Sequence, residues 1–594
     1  MSYTQIAHLD FESYYARDFS LTKMSTIEYV RDPRFYVFGC AVAMNEAPSV
    51  YLTHEEFVTW AEDIDWSITA VSAFNTSFDG AVLTQHYNIY PSYYIDPQSA
   101  ARALLTIDSV ALKKVAPLLL GEEKGQALVE GATVASDGMA DYANNDNELA
   151  RKIYHILYPL LSKDEQDLIN LTIRQAVEPV LLLDTKVLRQ VRDDAVTTRD
   201  QAIKASGYSE AQLISNQQFA TLISKLGIEP PVKTSGVTGE EITAFSNADD
   251  EYVEFTLKFP QYMSLWEGRK AAKSNINITR AEAFLRVSEL GDGTMPMPLK
   301  YCGAHTGRAS GCDGFNVQNL PNKFRSNLRK AITAPKGHVI VVADSSQIEL
   351  RVNMWLSGHR DKLDLLVAGG DIYIQEAADQ FGVPYDQVTK AQRQYGKLCQ
   401  LGLGFGMGAT KFRKTAAAGP LGMDPIYMTI GEAYDTVTTY RTANHGIPAL
   451  WATLNTRIHQ MSCEGFREQE GCLTFVHQGI ELPSGRMLQY AGLAQSEDGW
   501  CFGIDKKVKY LWGGTLDENL TQALARDIVF TQMLAIDRKY RVVSSTHDEV
   551  IYIARTEEAD EALAFGLDIM SKSPDWAPDL PVSADGGYAV DYSK

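Results

Sequence analysis

Cysteine is scarce in this 594-residue sequence, and none of the seven cysteines belongs to a C-x-x-C pair. This scarcity argues against a disulfide framework and a cysteine-based zinc site, and it favours a reducing compartment. The sequence also lacks an apolar run long enough to span a bilayer, and it starts without a basic and apolar leader. We therefore expect a soluble, cytoplasmic protein that is not secreted and does not contact a membrane.

The composition is that of an ordinary globular protein with several domains. The length corresponds to about four domains, and 45% of the residues are hydrophobic. The formal net charge is −20. This argues against a protein that coats nucleic acid without specificity.

Two stretches without any acidic residue, 314–343 and 387–423, interrupt this acidic chain. Their basic residues are Lys323, Arg325, Arg329, Lys330 and Lys336 in the first, and Lys390, Arg393, Lys397, Lys411, Arg413 and Lys414 in the second. A solvated face is the alternative, but such a face normally mixes both signs of charge. We therefore interpret both stretches as phosphate-binding surfaces.

Four carboxylates and one tyrosine are spread over the first 180 residues, where strand and helix patterns alternate. Asp10 and Glu12 share one face of a predicted strand, Asp79 follows another strand, and Tyr142 and Asp146 share one face of a helix. Each carboxylate alone is typical of a helix cap or a surface position. Together they suit phosphodiester hydrolysis by two divalent ions, which need several bridging carboxylates.

Residues 181–300 have helical spacing, and Leu181-Leu182-Leu183-Asp184 is predicted to begin a long amphipathic helix. Here the sequence indicates only a helical spacer, and a hairpin that grips a duplex is one option among several. Further on come Arg308 and the amides Asn316, Gln318 and Asn319. Side-chain amides suit the minor groove, where every base pair presents an acceptor. The alternative is a polar turn before Pro321.

Two aspartates follow predicted buried strands. Asp344 ends the β-branched run Val339–Val342, and Asp548 lies in the turn of a predicted hairpin between His547 and Glu549. Asp344 alone is explained equally well as a helix N-cap, and a hairpin turn often carries aspartate without any function. Two such strand-end aspartates are better explained as a pair of metal ligands.

One predicted helix carries Arg393, Lys397, Leu401 and Phe405 at successive i+4 positions. Its face therefore presents two cations and then two apolar groups. This arrangement fits a nucleoside triphosphate, with cations on the phosphates and apolar groups beside the sugar and base. The glycine-rich segment after it follows a helix rather than a strand, which excludes a dinucleotide-binding loop.

Three N-terminal motifs resemble the DEDD family of 3′→5′ exonucleases, in the subtype where a tyrosine helps to position the attacking water. They are Asp10-x-Glu12, Asn75-x-x-Phe78-Asp79 and Tyr142-x-x-x-Asp146. The later motifs resemble family A DNA polymerases of bacteriophage type that lack a 5′-nuclease domain. Those motifs are Asp344–Arg351 (motif A), Arg393–Phe405 (motif B), His547–Glu549 (motif C), and Thr306-Gly307-Arg308 with Asn316-x-Gln318-Asn319 at the primer–template.

The resemblance implies an α/β multidomain (α+β) protein that combines a proofreading exonuclease with a right-hand polymerase. The RNase H-like DEDD exonuclease domain is expected at 1–180 and the thumb at 181–300. The palm is expected at 301–355 and 436–594, with the fingers at 356–435 between its two parts. The expected partners are primer–template DNA and dNTPs, in viral (phage) DNA replication within the host cytoplasm. No processivity factor or replicative helicase is identified by the sequence.

The resemblance also implies a role for each motif residue. Asp344 and Asp548 would hold two Mg²⁺ ions, for which Mn²⁺ can substitute, with Glu549 as an accessory carboxylate. Asp10, Glu12, Asp79 and Asp146 would hold the exonuclease ions. Arg393 and Lys397 would bind the triphosphate, and Lys397 would protonate the leaving pyrophosphate. The resemblance places Gln347, Glu349, Leu401 and Phe405 at the incoming nucleotide. It places His547 and Arg308 at the primer terminus. The residues that it places along the DNA are Asn316, Gln318, Asn319 and Gln522.

The chain departs from the family pattern at the nucleotide pocket. Leu401 replaces the usual Phe or Tyr, Phe405 replaces the usual Tyr, and Ser345 replaces the usual Tyr of motif A. Glu349 would be the steric gate that excludes a 2′-hydroxyl, and Phe405 lacks the hydroxyl that would hold it. We therefore expect weaker rejection of ribonucleotides. Either Glu518 or Asn519 corresponds to an asparagine of the family pattern.

Three other functions remain open at this point. The first is a DEDD nuclease with a degenerate polymerase fold, which primer extension would distinguish. The second is a single-subunit RNA polymerase, which would use NTPs in place of dNTPs. The third is an inactive DNA-binding scaffold, which would bind duplex DNA without any Mg²⁺-dependent turnover.

Overall fold

The computed structural model describes residues 3–125, 138–235, 238–246, 249–321, 326–419, 425–503 and 508–593. Lys323 and Arg325 of the first basic stretch lie outside these residues. Within them, no helix has both the length and the apolar character needed to cross a membrane. The structure combines helices with seven sheets, which agrees with the expected α/β multidomain class.

The N-terminal part is built on a five-stranded sheet in the order β3-β2-β1-β4-β5. β1 pairs antiparallel with β2 and parallel with β4. β2 is an almost continuous apolar run with nearly every residue buried, as expected for a strand covered on both faces. The strands are β1 (Gln5–Ser13), β2 (Val37–Met44), β3 (Val50–Thr53), β4 (Thr69–Ser72) and β5 (Tyr93–Ile95).

In the described residues of this part, seven helices accompany the sheet, and α6 lies against β1 while α7 lies against β5. The helices are α1 (Thr26–Arg31), α2 (His54–Glu62), α3 (Thr76–Ala81), α4 (Pro97–Leu104), α5 (Leu112–Leu120), α6 (Met139–Leu157) and α7 (Lys163–Val177). The apolar cluster of this sheet continues without a break to residues of the later strands, such as Val339, Val341 and Val550. The two parts therefore share one core.

The next part is helical, but the prediction that Leu181 begins its first helix is wrong. Leu181–Leu183 is a strand, β6, that pairs with β9 (Thr294–Met295) and β12 (Ile332–Thr333). The helix begins at Thr185 because the Asp184 side chain accepts hydrogen bonds from the next backbone amides and caps it. The other elements are α8 (Thr185–Ser206), α9 (Glu210–Ile214), α10 (Asn216–Lys225), β7 (Val232–Thr234), β8 (Glu241–Thr243), α11 (Asp250–Lys258), α12 (Met263–Lys273) and α13 (Ile276–Glu289).

A four-stranded antiparallel sheet in the order β21-β22-β13-β23 forms the centre of the molecule. The long helix α21 packs against α14, α20 and this sheet. The elements are β10 (Leu299–Lys300), β11 (Ser310–Gly311), β13 (His338–Ser345), α14 (Ile348–Leu356), α21 (Gly513–Asp537), β21 (Val542–Thr546), β22 (Glu549–Arg555), α22 (Ala559–Met570) and β23 (Ala584–Ala589).

Among the described residues, six helices lie between α14 and α21, and most of them contribute to a separate apolar core. They are α15 (Arg360–Val367), α16 (Ile372–Phe381), α17 (Lys390–Leu403), α18 (Ala409–Ala417), α19 (Ile430–Ala443) and α20 (Gly446–Met461). The predicted fingers boundary at 435 falls inside α19, which packs against α16, α17 and α18. Two small sheets follow, made of β14 (Arg467–Glu470), β15 (Leu473–Val476), β16 (Gly479–Glu481), β17 (Met487–Gln489), β18 (Ala494–Ser496), β19 (Gly499–Phe502) and β20 (Lys509–Tyr510).

Candidate active sites

The two strand-end aspartates meet in the central sheet. β13 and β22 are antiparallel partners, with Asp344 opposite Glu549, and the Ser345 amide donates to the Asp548 carbonyl at 3.0 Å. The predicted hairpin is present, and His547 at its turn has a left-handed φ of 56°. Burial, and next the charge of Asp344, raises the pKa of Asp548 to about 6. Such a shift is typical of acidic groups held close together in a site poor in solvent.

Asp344 lies within β13, and the N-cap of α14 is Gln347. The alternative explanation of Asp344 as a helix cap is therefore excluded. Gln347 has a left-handed φ of 56° and makes no side-chain capping bond. The turn at Gln347 connects the end of β13 to the start of α14, and Glu349 therefore lies in the first turn of this helix. Left-handed non-glycine residues such as Gln347 and His547 often cluster at functional sites.

Basic side chains face these carboxylates. Arg308 forms an ion pair with Glu349, and Arg329 Nη1 lies 3.6 Å from Glu549 Oε2. The Tyr592 hydroxyl donates to the same Glu549 oxygen at 2.8 Å. Arg308, Gln318, His547 and Asp548 line one small cavity. Glu349, which the sequence predicted to be loosely held, thus has a cationic partner.

The predicted helix that carries Arg393, Lys397 and Leu401 is α17, and Tyr373 of α16, which sequence reasoning missed, lies beside its two cations. The Tyr373 ring lies 5.4 Å from the Arg393 guanidinium and 5.9 Å from Lys397 Nζ. Arg393 Nε donates to Asp371 Oδ2 at 2.6 Å. Asp371 also caps α16, so this ion pair ties the two helices together. In the sequence, Tyr373 is marked only by its position near the start of a helix, which does not indicate a contact with Arg393 or Lys397.

Of the two predicted apolar positions, Leu401 lies on α17, whereas the prediction that the same helix carries Phe405 is wrong, because α17 ends at Leu403. Leu401 is 44% exposed, which is unusual for a leucine within a packed helical region. Phe405 is partly exposed just beyond the end of the helix. Both side chains are therefore accessible to a ligand that approaches this face.

The predicted DNA-contact residues fall into two groups. Thr306 Oγ1 and Gln522 Oε1 lie 3.5 Å apart, so the Thr306-Gly307-Arg308 loop touches α21. Asn316 packs against Gly311, and Gln318 and Asn319 form a short 3₁₀ turn whose Asn319 carbonyl accepts from Arg280 of α13. The second group thus contacts the helical part through Asn319, while Gln318 lines the same cavity as Arg308 of the first.

Either Glu518 or Asn519 corresponds to the asparagine of the family pattern, and the two side chains have different hydrogen-bond partners. Gln522 Nε2 donates to Glu518 Oε1 at 3.1 Å, so these two side chains share one face of α21. Asn519 Nδ2 donates to the Tyr490 hydroxyl at 3.1 Å. Glu518, rather than Asn519, therefore lies beside the predicted minor-groove residue.

The four N-terminal carboxylates also come together. The Phe11 amide donates to Asp79 Oδ1 at 3.1 Å, which ties β1 to α3. Burial, and next the charges of Glu12, Asp79 and Asp146, raises the pKa of Asp10 well above its ordinary value. Burial is also the main cause that raises the pKa of Glu12 to about 8 and that of Asp79 to about 7.

A lysine that sequence reasoning missed lies among these carboxylates. Lys124 Nζ is 2.5 Å from Asp146 Oδ2 and 5.1 Å from the centre of the Tyr142 ring. Tyr142 and Asp146 lie one turn apart on α6, as predicted. The second Asp146 oxygen is buried and has no hydrogen-bond partner in the part of the chain that the structure describes. A buried carboxylate oxygen of this kind fits a cation.

Both carboxylate clusters have donors that suit metal ions, although neither is a complete metal site. Over the described ranges, no group of three or more histidine, cysteine or acidic side chains already has the geometry of a metal site. Carboxylate oxygens are nevertheless the donors that Mg²⁺ prefers, and Mg²⁺ commonly completes its shell with water and substrate phosphates. The donor sets at Asp344 and Asp548, and at Asp10, Glu12, Asp79 and Asp146, fit hard divalent ions in this incomplete form.

The central sheet with its paired aspartates, the cationic helix and the long helical arm define a protein with the right-hand polymerase fold. The structure is similar to the POL domain of Pol1 from M. smegmatis, determined in complex with DNA primer-template and dNTP. The TM-score is 0.71 at 17% identity, and the match covers 99% of this chain and 96% of that one.

Residues 185–462 match the sequence model of DNA polymerase family A. The chain is 34% identical over 300 residues to a DNA polymerase of Bacillus phage SP02, a match that covers 46% of this chain and 44% of the relative. It is 28% identical over 338 residues to DNA polymerase I of Pseudomonas aeruginosa, covering 54% of this chain and 36% of that relative. The chain thus spans less than half the length of these two curated relatives. The match to DNA polymerase family A thus covers slightly less than half of the chain.

Proposed function

We propose that the protein is a template-directed DNA polymerase that extends a primer 3′-hydroxyl with dNTPs and proofreads with a 3′→5′ exonuclease. The observation that carries this proposal is the meeting of Asp344 and Asp548 at adjacent strand ends. The similarity of the chain to a phage DNA polymerase supports a role in phage DNA replication.

Asp344 and Asp548 would hold two Mg²⁺ ions, and Glu549 would support them from beside Tyr592 and Arg329. When bound, such ions activate the primer 3′-hydroxyl and offset the charge of the triphosphate. Arg393 would bind the phosphates electrostatically from α17, one turn before Lys397.

Lys397 would bind the same phosphates and donate a proton to the leaving pyrophosphate oxygen. Its ammonium group lies 5.9 Å from the centre of the Tyr373 ring, which also lies beside Arg393. Gln347 would lie beside the nucleotide at the turn before α14, and the accessible Leu401 and Phe405 would cover the sugar and base.

Glu349 would form the floor of the pocket beneath the sugar. A carboxylate there excludes a 2′-hydroxyl sterically, while Arg308 neutralises its charge in the absence of DNA. Arg308 and His547 would then meet the primer terminus. Asn316, Gln318, Asn319 and Gln522 would follow the minor groove, where amides can contact every base pair.

For proofreading, Asp10, Glu12, Asp79 and Asp146 would hold the two ions of the nuclease site, and Tyr142 would orient the attacking water. The support for this role is the shared burial and mutual repulsion of these carboxylates. Closely spaced ionised carboxylates need cations to balance them. Lys124 supplies one positive charge at Asp146.

Extension of a primed template by the purified protein, with a matched or a mispaired 3′ end, tests the proposal. We expect dNTP incorporation in Mg²⁺, and excision of the mispair before extension. Excision without extension would instead indicate a nuclease with a degenerate polymerase fold. Incorporation of NTPs in place of dNTPs would indicate an RNA polymerase. Duplex binding without turnover would indicate a scaffold.

A further inference from the structure

A buried cluster of charged side chains joins the nuclease part of the molecule to the palm. We call it the interdomain cluster, and it consists of Glu165 on α7, Arg526 and Asp527 on α21, Arg486 before β17, and Tyr301. Arg526 binds both carboxylate oxygens of Glu165, at 2.5 and 2.8 Å. Arg486 Nε donates to Asp527 Oδ1 at 2.8 Å and lies 3.7 Å from Glu165 Oε1. The Tyr301 hydroxyl donates to Glu165.

The cluster contains two arginines and two carboxylates, and their side chains are at most 9% exposed. Burial opposes the ionisation of Glu165, but the charges of Arg526 and Arg486 and the hydrogen bonds from Arg526 and Tyr301 outweigh it and lower the pKa of Glu165. Glu165 is therefore ionised. Removal of one partner from such a buried set leaves an uncompensated charge, which is strongly unfavourable.

Both arginines also hold the loop Thr306-Gly307-Arg308. Arg526 Nε donates to the Gly307 carbonyl at 3.2 Å, and Arg486 Nη2 donates to the Thr306 carbonyl at 3.3 Å. Gly307 has a left-handed φ of 84°, and a Cβ there would overlap the Arg486 guanidinium. The backbone immediately before Arg308 is thus fixed by two guanidinium groups.

This loop ends in the polymerase site. Arg308 pairs with Glu349 and lines the same cavity as His547 and Asp548. Thr306 touches Gln522. The chain of contacts therefore runs from a carboxylate of the nuclease part, through two arginines, to the residues that would hold the primer terminus.

We propose that Glu165 is a positioning residue for the primer terminus in the polymerase site. It binds Arg526 through both carboxylate oxygens and lies within ion-pair distance of Arg486, which Asp527 also holds. Together these contacts keep both arginines in the orientation that anchors the 306–308 loop and so places Arg308. This inference rests on the proposed polymerase function. It also means that the nuclease part supports the geometry of DNA synthesis, independently of its own catalytic carboxylates.

A second ion pair between the same two helices provides a matched control. Arg174 of α7 binds both oxygens of Asp537, at 2.6 and 2.5 Å, and both side chains are largely buried. Asp537 lies at the C-terminal end of α21, where it also accepts a hydrogen bond from the Val542 amide. Among the described residues, this pair makes no hydrogen bond to the 306–308 loop.

The experiment compares Glu165→Gln with Asp537→Asn in the full chain. Primer–template affinity is measured by fluorescence anisotropy in EDTA. The incorporation rate at saturating DNA and dNTP is measured with a primer whose 3′-terminal linkage is a phosphorothioate, which resists excision. Melting temperature reports the cost to folding. Glu165→Asp keeps the negative charge and tests whether that charge is enough to restore primer–template affinity. Tyr301→Phe removes one hydrogen bond from Glu165 and serves if Glu165→Gln does not fold.

We expect Glu165→Gln to weaken primer–template binding about tenfold and to lower the saturated incorporation rate, because a displaced Arg308 misaligns the primer end. Asp537→Asn should lower the melting temperature while affinity and rate stay within about twofold of the unaltered protein. Glu165→Asp should recover most of the affinity, and Tyr301→Phe should show a smaller loss in the same direction.

Equal effects of Glu165→Gln and Asp537→Asn on affinity and rate, or no effect of either, would overturn the positioning role. The positioning role would also be overturned if Tyr301→Phe lowered the melting temperature but left both DNA measurements unchanged. If the unaltered protein does not extend the primer at all, the proposed polymerase function itself fails. The two failures are therefore distinguishable.

Discussion

Gly396 allows helix α17, which carries the proposed phosphate-binding residues, to approach α16 closely. A Cβ at this position would lie 2.1 Å from the Tyr373 carbonyl oxygen and 2.9 Å from the Ala377 amide nitrogen, where ordinary contact begins at 3.4 Å. Both atoms belong to the backbone of α16, so no side-chain rotation can relieve the overlap. Gly396→Ala must therefore push the two helices apart.

The expected magnitude follows from this geometry. The helices have to separate by about 1 Å, and overpacking of this kind typically costs about 1–3 kcal/mol. Arg393 and Lys397 lie on either side of Gly396 and would move with α17 away from Tyr373. A misplacement of about 1 Å in an active site can cost on the order of a hundredfold in rate. We therefore expect a large loss of dNTP incorporation with little change in primer–template affinity.

Gly402 on the same helix is the matched control. A Cβ there meets Phe412 at 3.5 Å and Met407 at 3.7 Å, which are ordinary contacts. Since alanine favours a helix interior by about 1 kcal/mol over glycine, Gly402→Ala should keep its activity and its melting temperature. The assay is single-nucleotide incorporation over a range of dNTP concentrations. Full activity of Gly396→Ala, or an equal loss in Gly402→Ala, would refute the steric argument.

Three further predictions concern the gate and the two catalytic sites. Phe405→Tyr should raise dNTP/NTP selectivity about fivefold, because a hydrogen bond of about 1 kcal/mol would then hold Glu349; no gain in incorporation assays would contradict this. Asp10→Ala should abolish excision of a mispaired end and spare synthesis, while Asp548→Asn should do the reverse. Loss of both activities in one folded variant would disprove two separate sites. Lys124→Met should tighten Mn²⁺ binding at the nuclease carboxylates roughly fivefold, because removal of a nearby like charge is worth about 1 kcal/mol. An electron paramagnetic resonance titration measures this, and weaker binding would show that the lysine supports the ion.

The residues that could be predicted from the sequence are those whose neighbours in the sequence form a recognisable pattern. Asp344 ends a β-branched run and Asp548 lies in a hairpin turn, so a few neighbouring residues defined each position and the sheet then brought them together. The four N-terminal carboxylates were found in the same way. The helix predicted from Leu181 was wrong, because an apolar run of three residues suits a short strand as well as a helix.

The residues that were missed depend on contacts between distant parts of the chain. Glu165 and Arg526 are 361 residues apart in sequence, and neither belongs to a local pattern. Lys124 is a single lysine that becomes notable only because α6 brings Asp146 beside it. The strands of residues 467–510 are two to four residues long, which is too short for a period of two to be recognised.

The proposed steric gate, Glu349, shows how a local sequence pattern and a distant contact bear on the same residue. The sequence implied a loosened Glu349, since Phe405 lacks a hydroxyl, whereas in the structure Glu349 is paired with Arg308. Both side chains of this pair remain partly exposed, and such pairs contribute at most about 1 kcal/mol. Primer–template DNA can therefore draw Arg308 away at little cost and leave the gate without this partner when a nucleotide binds. It follows that the effect of Phe405→Tyr on ribonucleotide rejection should appear during incorporation on DNA, and that nucleotide binding to the DNA-free protein should not distinguish the two variants.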